Sequence, residues 1–345
     1  MSKKEKKQIL FDVYSNNFKT IIDAAKNKQH LPKDFGCYCP ICETHFDISK
    51  LKNLSLEHNP PKSLGGKDNI LTCLKCNNTA GSKIDNEILL ALNELEFMKF
   101  KPNSFLKTKL HNESTGEKGV NANFKIDEKG TFVFDISPAN NPKIKDSFLN
   151  SFVHEYVAYD TLKKNFGSLG FSKKINFQIK KPNRRNERLA SIALLKMAYL
   201  LLFEKLGHAA IFGKHMRHIR NQIQNPNDNI ITKPFWLHYN YPDNMLGINI
   251  ITKPIELKCF LVVFDIKTKS DIYRSGICIP GLDENDDLIY ENIEKIMYSK
   301  GEGDIDFETN NFLNSQFDIR ESEKALLPLI YWGKLFEHTT AHNSG

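Results

Sequence analysis

Two cysteine pairs of identical spacing bracket an acid and a histidine: Cys39 and Cys42 in "CPIC", Glu57 and His58 in "LSLEH", and Cys73 and Cys76 in "CLKC". Two CxxC knuckles about thirty residues apart can supply four thiolates to one tetrahedral, structural Zn2+. Five of the seven cysteines fall between Cys37 and Cys76, which argues for a local metal site and against a distributed disulfide framework. Cys37 and His45 read as bystanders of the first knuckle, and Cys259 and Cys278 as apolar fillers of strands. His58, with an ordinary pKa of about 6.5, is partly neutral at physiological pH and can take a proton from water. Glu57 and the amides Asn77 and Asn78 carry oxygens of the kind that hold Mg2+ or Mn2+. Hydrolysis of a phosphodiester needs that combination: a water made nucleophilic, a cation on the developing phosphorane charge, and help for the leaving oxygen.

Positioning these groups requires a small, metal-clamped framework. "LSLEH" reads as a strand, "NPPKSLGGKDN" as a turn rich in Pro and Gly, "ILTC" as a return strand and "NNTAGSKIDNEILLALNEL" as a helix. A hairpin of this size has too small a core to fold alone, and a structural zinc can contribute on the order of 10 kcal/mol. Asp85, eight residues after Asn77, reads as a solvated carboxylate on the helix.

These residues resemble the HNH nuclease family, whose module is the ββα-metal fold. Its pattern is matched by Glu57 and His58, Pro61, Gly65 and Gly66, Asn69, and Asn77 directly after the second knuckle. Asn77 stands where many members carry His, and the interval from Asn69 to Cys73 is one residue shorter than in many. The resemblance covers residues 37–90. It implies that His58 is the general base, that Asn69 orients it across the hairpin, and that Glu57 with Asn77 or Asn78 holds one Mg2+ or Mn2+. It further implies an endonuclease acting on DNA, leaving a 5′-phosphate and a 3′-hydroxyl, with restriction or antiphage defence as the expected setting. Two alternatives stay open: a non-catalytic zinc-dependent nucleic-acid-binding protein, and a nuclease effector silent until a regulatory protein, a ligand or a second copy engages the C-terminal part.

The rest of the 345 residues reads as α+β, a small zinc-bound module followed by a larger domain. Apolar residues at helical period between 8 and 29 predict a lead-in helix ending before Pro32. The expected division is 1–36 lead-in, 37–100 nuclease module and 101–345 targeting or regulatory domain, with "KPNSF" as the linker. Beyond it, "FLKTKL", "NANFKID" and "GTFVFDI" predict an antiparallel sheet, and "SFLNSFVHEYVAYDTLKKNFG" a helix. "RRNERLASIALLKMAYLLLFEKL" predicts a core helix stopped by Gly207. "FWLHYN", "GINIIT", "ELKCFLVVFDI" and "RSGICI" predict strands, and "YENIEKIMYSK" a helix.

The longest apolar run, "ASIALLKMAYLLLF", is too short to span a bilayer and carries Lys196 in its middle, and the opening "MSKKEKK" lacks the pattern of a signal peptide. The expectation is a cytoplasmic protein without a membrane partner. A formal charge of +7 is compatible with a polyanionic partner. Lys173, Lys174, Lys180, Lys181, Arg184 and Arg185 form one candidate phosphate-tracking segment, and Lys214, Arg217 and Arg220 another.

Overall fold

Leu10, Tyr14, Phe18 and Ile22 recur at intervals of four and form the buried stripe of the first helix, α1 (Lys3–Ala24). The structure is a computed structural model, and it describes residues 1–24, 36–112, 115–116, 118–151, 178–180, 186–211, 213–237, 239–283, 286–299, 306–311 and 324–336. After α1 come two short ribbons. The strands β1 (Cys37–Tyr38) and β2 (His45–Phe46) pair antiparallel around the first cysteine pair. The strands β3 (Leu54–Asn59) and β4 (Lys67–Cys73) form the expected hairpin, with Leu54 opposite Cys73. Its turn needs glycine at one point, because a Cβ on Gly66 would lie 1.4 Å from the Pro60 carbonyl oxygen.

The chain leaves β4 directly into α2 (Leu74–Ala80), passes through a π-helical turn at Gly81–Asp85 and continues as α3 (Asn86–Met98). The predicted three-strand sheet is present as β5 (Phe105–His111), β6 (Val120–Ile126) and β7 (Phe132–Ile136). Residues 142–151 are helical, α4, and the rest of that predicted helix lies outside the described residues. A further strand, β8 (Gln178–Lys180), joins the edge to give the order β7-β6-β5-β8.

The apolar run around Lys196 forms α5 (Glu187–Leu206). Its side chains are buried on nearly every face, because it packs against β3 and β4 on one side and against a second sheet on the other. It ends as expected at Gly207, whose φ of +64° belongs to the left-handed region and whose missing Cβ leaves room for Asn17. The short helix α6 (Arg217–Gln224) follows. The second sheet has the order β11-β10-β9-β12, from β9 (Gly247–Lys253), β10 (Cys259–Lys267), β11 (Ile272–Pro280) and β12 (Glu308–Asn310), and α7 (Ile289–Ser299) and α8 (Leu327–Phe336) accompany it. The segment "FWLHYN" is not the predicted strand; among its described residues Trp236 makes one isolated bridge to Ile277.

The architecture is α+β, and its division differs from the one read from the sequence. One unit joins Met1–Leu89 to Glu187–Gly345, and the other is Leu90–Asn186. The cysteine-clamped hairpin is therefore no separate module followed by a domain at 101–345. The physical reason is α5, whose apolar faces cover the hairpin and the second sheet together. "KPNSF" is a turn inside the second unit and links no domains. Among the described residues no helix is long and apolar enough to cross a membrane.

Candidate functional site

The four cysteines converge. The thiol sulfurs of Cys39, Cys42, Cys73 and Cys76 all lie within 4.8 Å of one another, with Cys42 and Cys73 3.7 Å apart. A tetrahedron with Zn–S bonds of ~2.3 Å has edges of about 3.8 Å, so the cluster fits a metal ion such as zinc. The backbone N–H of Cys73 donates to the Cys39 sulfur at 3.4 Å, and that of Cys76 to the Cys73 sulfur at 3.3 Å, which favours thiolate. Packed together, the thiols split their acidities. Their mutual hydrogen bond raises Cys39 and lowers Cys42, and a bond from Cys39 is the main cause that brings Cys73 to about 7. A bound cation replaces the protons they would otherwise share. Cys37 stays outside this set, wholly buried, its thiol pushed up to about 12 by desolvation.

The hairpin separates Glu57 from His58. The β3–β4 register shifts between Glu57 and Asn59, and His58 sits at the irregularity. Glu57 and Asn59 both turn into the interior toward α5: the Asn59 amide donates to the Met197 carbonyl at 2.8 Å, and Glu57 is 2% exposed. His58 is half-buried, and its charge lowers the carboxyl of Asp68, after the larger effect of the hydrogen bond from Lys6.

Glu57 already has a cation. The Lys196 ammonium lies 2.7 Å from Glu57 Oε1 and 2.8 Å from Asp85 Oδ2, and the Thr72 hydroxyl donates to Glu57 Oε2 at 3.4 Å. Lys196 is 1% exposed. Burial works to lower its pKa, but the two carboxylates outweigh that and hold it raised; burial raises the Glu57 carboxyl against the pull of Lys196. Asp85, expected to be solvated, is thus a partner of Lys196 and has its second oxygen buried without a hydrogen bond. As found, Glu57 does not fit the Mg2+ or Mn2+ site expected of it, since both its oxygens are bonded and water is excluded. Among the described residues the four cysteines are the one His, Cys, Asp or Glu cluster suited to a metal.

The amides go elsewhere than expected in part. Asn69 does not reach across to His58; its amide nitrogen donates to Glu204 Oε1 on α5 at 3.2 Å. Asn77 donates to the Ser55 hydroxyl at 2.7 Å and to the Leu56 carbonyl, so its nitrogen ties the start of α2 to β3 and its oxygen is the atom left to act. Asn78 beside it is exposed.

Of the basic candidates, Lys214 and Arg217 are exposed, as a phosphate contact requires. Arg220 is not available: it is 3% exposed, its guanidinium pairs with Glu43 Oε1 at 2.9 Å, and it donates to the Ile211 carbonyl. It holds α6 to the first cysteine knuckle instead. Lys173, Lys174, Lys181, Arg184 and Arg185 lie outside the described residues, and Lys180 closes β8.

Lys196 is the residue that sequence reasoning passed over, although its signal was legible. A charge in the middle of a helix apolar on all faces must be paired when it is buried. The chain matches no family model, and no curated protein or solved structure matches it.

Proposed function

We propose that the chain is an endonuclease of the HNH type that hydrolyses phosphodiester bonds in DNA. One juxtaposition carries the reading: a four-thiol cluster clamps a β-hairpin to the helix behind it, and the bulge in that hairpin turns His58 away from the buried side that takes Glu57 and Asn59. In this reading His58 accepts the proton of the attacking water. The bond from Asn77 to β3 keeps the helix start in register with the strand that bears His58. Glu57 acts from within: its pairing with Lys196 holds β3 on α5, one residue from the proposed base. A hard divalent cation, implied by the family resemblance, would supply positive charge at the phosphate.

The test is nicking of supercoiled plasmid by zinc-loaded protein, with Mg2+ or Mn2+ titrated from zero, beside His58→Ala. Nicking that disappears in the variant, while its unfolding curve matches wild type, is the expected outcome. Equal nicking by both proteins, or none by folded wild type with either cation, would sink the reading.

A further inference from the structure

The formal charge of +7 is not spread over the chain. The unit Leu90–Asn186 contains 17 Lys and Arg against 10 Asp and Glu, so the entire excess resides there, while the other unit is balanced at 31 against 31. In the sheet β7-β6-β5-β8 part of that excess has a definite arrangement. Leu110, Val120 and Ala122 point to the side covered by Phe148, where they form a small core. Side chains alternate along a strand, so Lys107 and Lys109 of β5 and Asn121, Asn123 and Lys125 of β6 belong to the opposite side.

The register sets Lys107 beside Asn123 and Lys109 beside Asn121, and on its other edge Lys109 opposite Lys180. The asparagines do not serve the stability of a sheet, since asparagine is depleted in strands. The one carboxylate that the described strands place on this side, Asp135, is neutralised by Lys125 and hydrogen-bonded by Asn123. Lys107 and Lys109 have no acidic partner among the described residues. Two positions apart on one strand, they are separated by about 6.8 Å, on the order of the separation of neighbouring phosphates along a nucleic-acid strand.

We propose that this sheet face is the surface on which the unit Leu90–Asn186 docks the phosphate backbone of DNA. The choice of DNA as the polyanion rests on the nuclease reading; the surface itself rests on charge and register. Its contacts position the substrate without reading sequence.

The test is fluorescence anisotropy of a labelled duplex of roughly 25 base pairs with full-length, zinc-loaded protein, without added Mg2+ or Mn2+, over a salt series. For Lys107→Glu with Lys109→Glu the expected result is affinity about tenfold weaker or more at low salt, and a slope of log K against log salt shallower by about two. Lys107→Gln with Lys109→Gln should lie between that variant and wild type, and unfolding curves should nearly coincide because Lys107 is exposed and Lys109 is half-buried at the sheet surface. Unchanged affinity and slope in the glutamate variant, or a wild-type protein that does not bind the duplex, would overturn the proposal. A protein that nicks through His58 yet ignores the two lysines overturns the surface alone. One that loses affinity with the lysines and never nicks overturns the nuclease reading alone.

Discussion

Replacing Lys196 with methionine leaves two carboxylates in the interior with no countercharge. Glu57 is 2% exposed, and the Asp85 side chain 12%. Breaking a buried ion pair from one side costs about 3–5 kcal/mol. Protonation sets an independent ceiling. Neutralising a carboxyl of ordinary pKa about 4.3 at pH 7 costs roughly 1.36 kcal/mol for each of 2.7 pH units, or about 3.7 kcal/mol, and Glu57 will take that route once a charged state costs more. The expected loss is therefore about 4 kcal/mol from a stability that is ordinarily 5–15 kcal/mol.

The sign with pH follows from the same chemistry. Burial already raises the Glu57 carboxyl in wild type, and without Lys196 to oppose it the folded-state pKa rises further, so over that added interval the folded variant holds a proton that folded wild type and the unfolded chain release. The stability contribution is present below the unfolded pKa and is lost as pH rises through the folded one. The deficit relative to wild type should therefore shrink by up to about 2.7 kcal/mol between pH 7 and pH 5. Urea unfolding followed by tryptophan fluorescence reads this directly, since Trp236 and Trp332, the chain's two tryptophans, both belong to the unit that contains the triad. A second variant, Lys196→Met with Glu57→Gln, should recover much of the loss. A Lys196→Met protein within about 1 kcal/mol of wild type at pH 7, with a deficit that ignores pH, would refute the reasoning.

Chelation of the metal from the four thiols should unfold the hairpin, since a structural zinc contributes on the order of 10 kcal/mol; limited proteolysis between β3 and β4 with and without a strong chelator checks it. His208 is wholly buried among Tyr14, Phe18, Tyr38 and Phe203, and desolvation lowers its pKa to about 3. Its folded-state pKa is depressed, so its contribution is intact above about 6.5 and drains as pH falls toward 3. Wild type should lose about 2 kcal/mol between pH 7 and pH 5, and His208→Phe should lose correspondingly less in the same urea titration. Gly66→Ala forces a Cβ against the Pro60 carbonyl and should cost more than about 3 kcal/mol, visible as a large drop in melting temperature.

The cysteine pairs, the hairpin, the helix after it and the stop at Gly207 were legible because each depends on neighbours close in sequence: knuckle spacing, turn residues, a helical period and a left-handed glycine. What each polar side chain of the site does was not legible. Glu57 and His58 are adjacent in sequence, yet the register shift sends one into the interior and leaves the other half-buried. Asn69 bonds Glu204, Glu57 bonds Lys196 and Arg220 bonds Glu43, and each partner lies more than a hundred residues away.

By itself the sequence determined the metal-binding cluster, the α+β class and the two basic stretches, since ligand type, periodicity and charge are properties of local order. Tertiary structure alone decided that the unit with the hairpin closes around α5 and that the net charge belongs to the unit inserted between its halves. The reason is burial. A helix apolar on every face must find two layers to cover it, and the sequence states that need without naming the layers. Once the hairpin became one of them, Lys196 was carried inside and had to meet the carboxylates of Glu57 and Asp85.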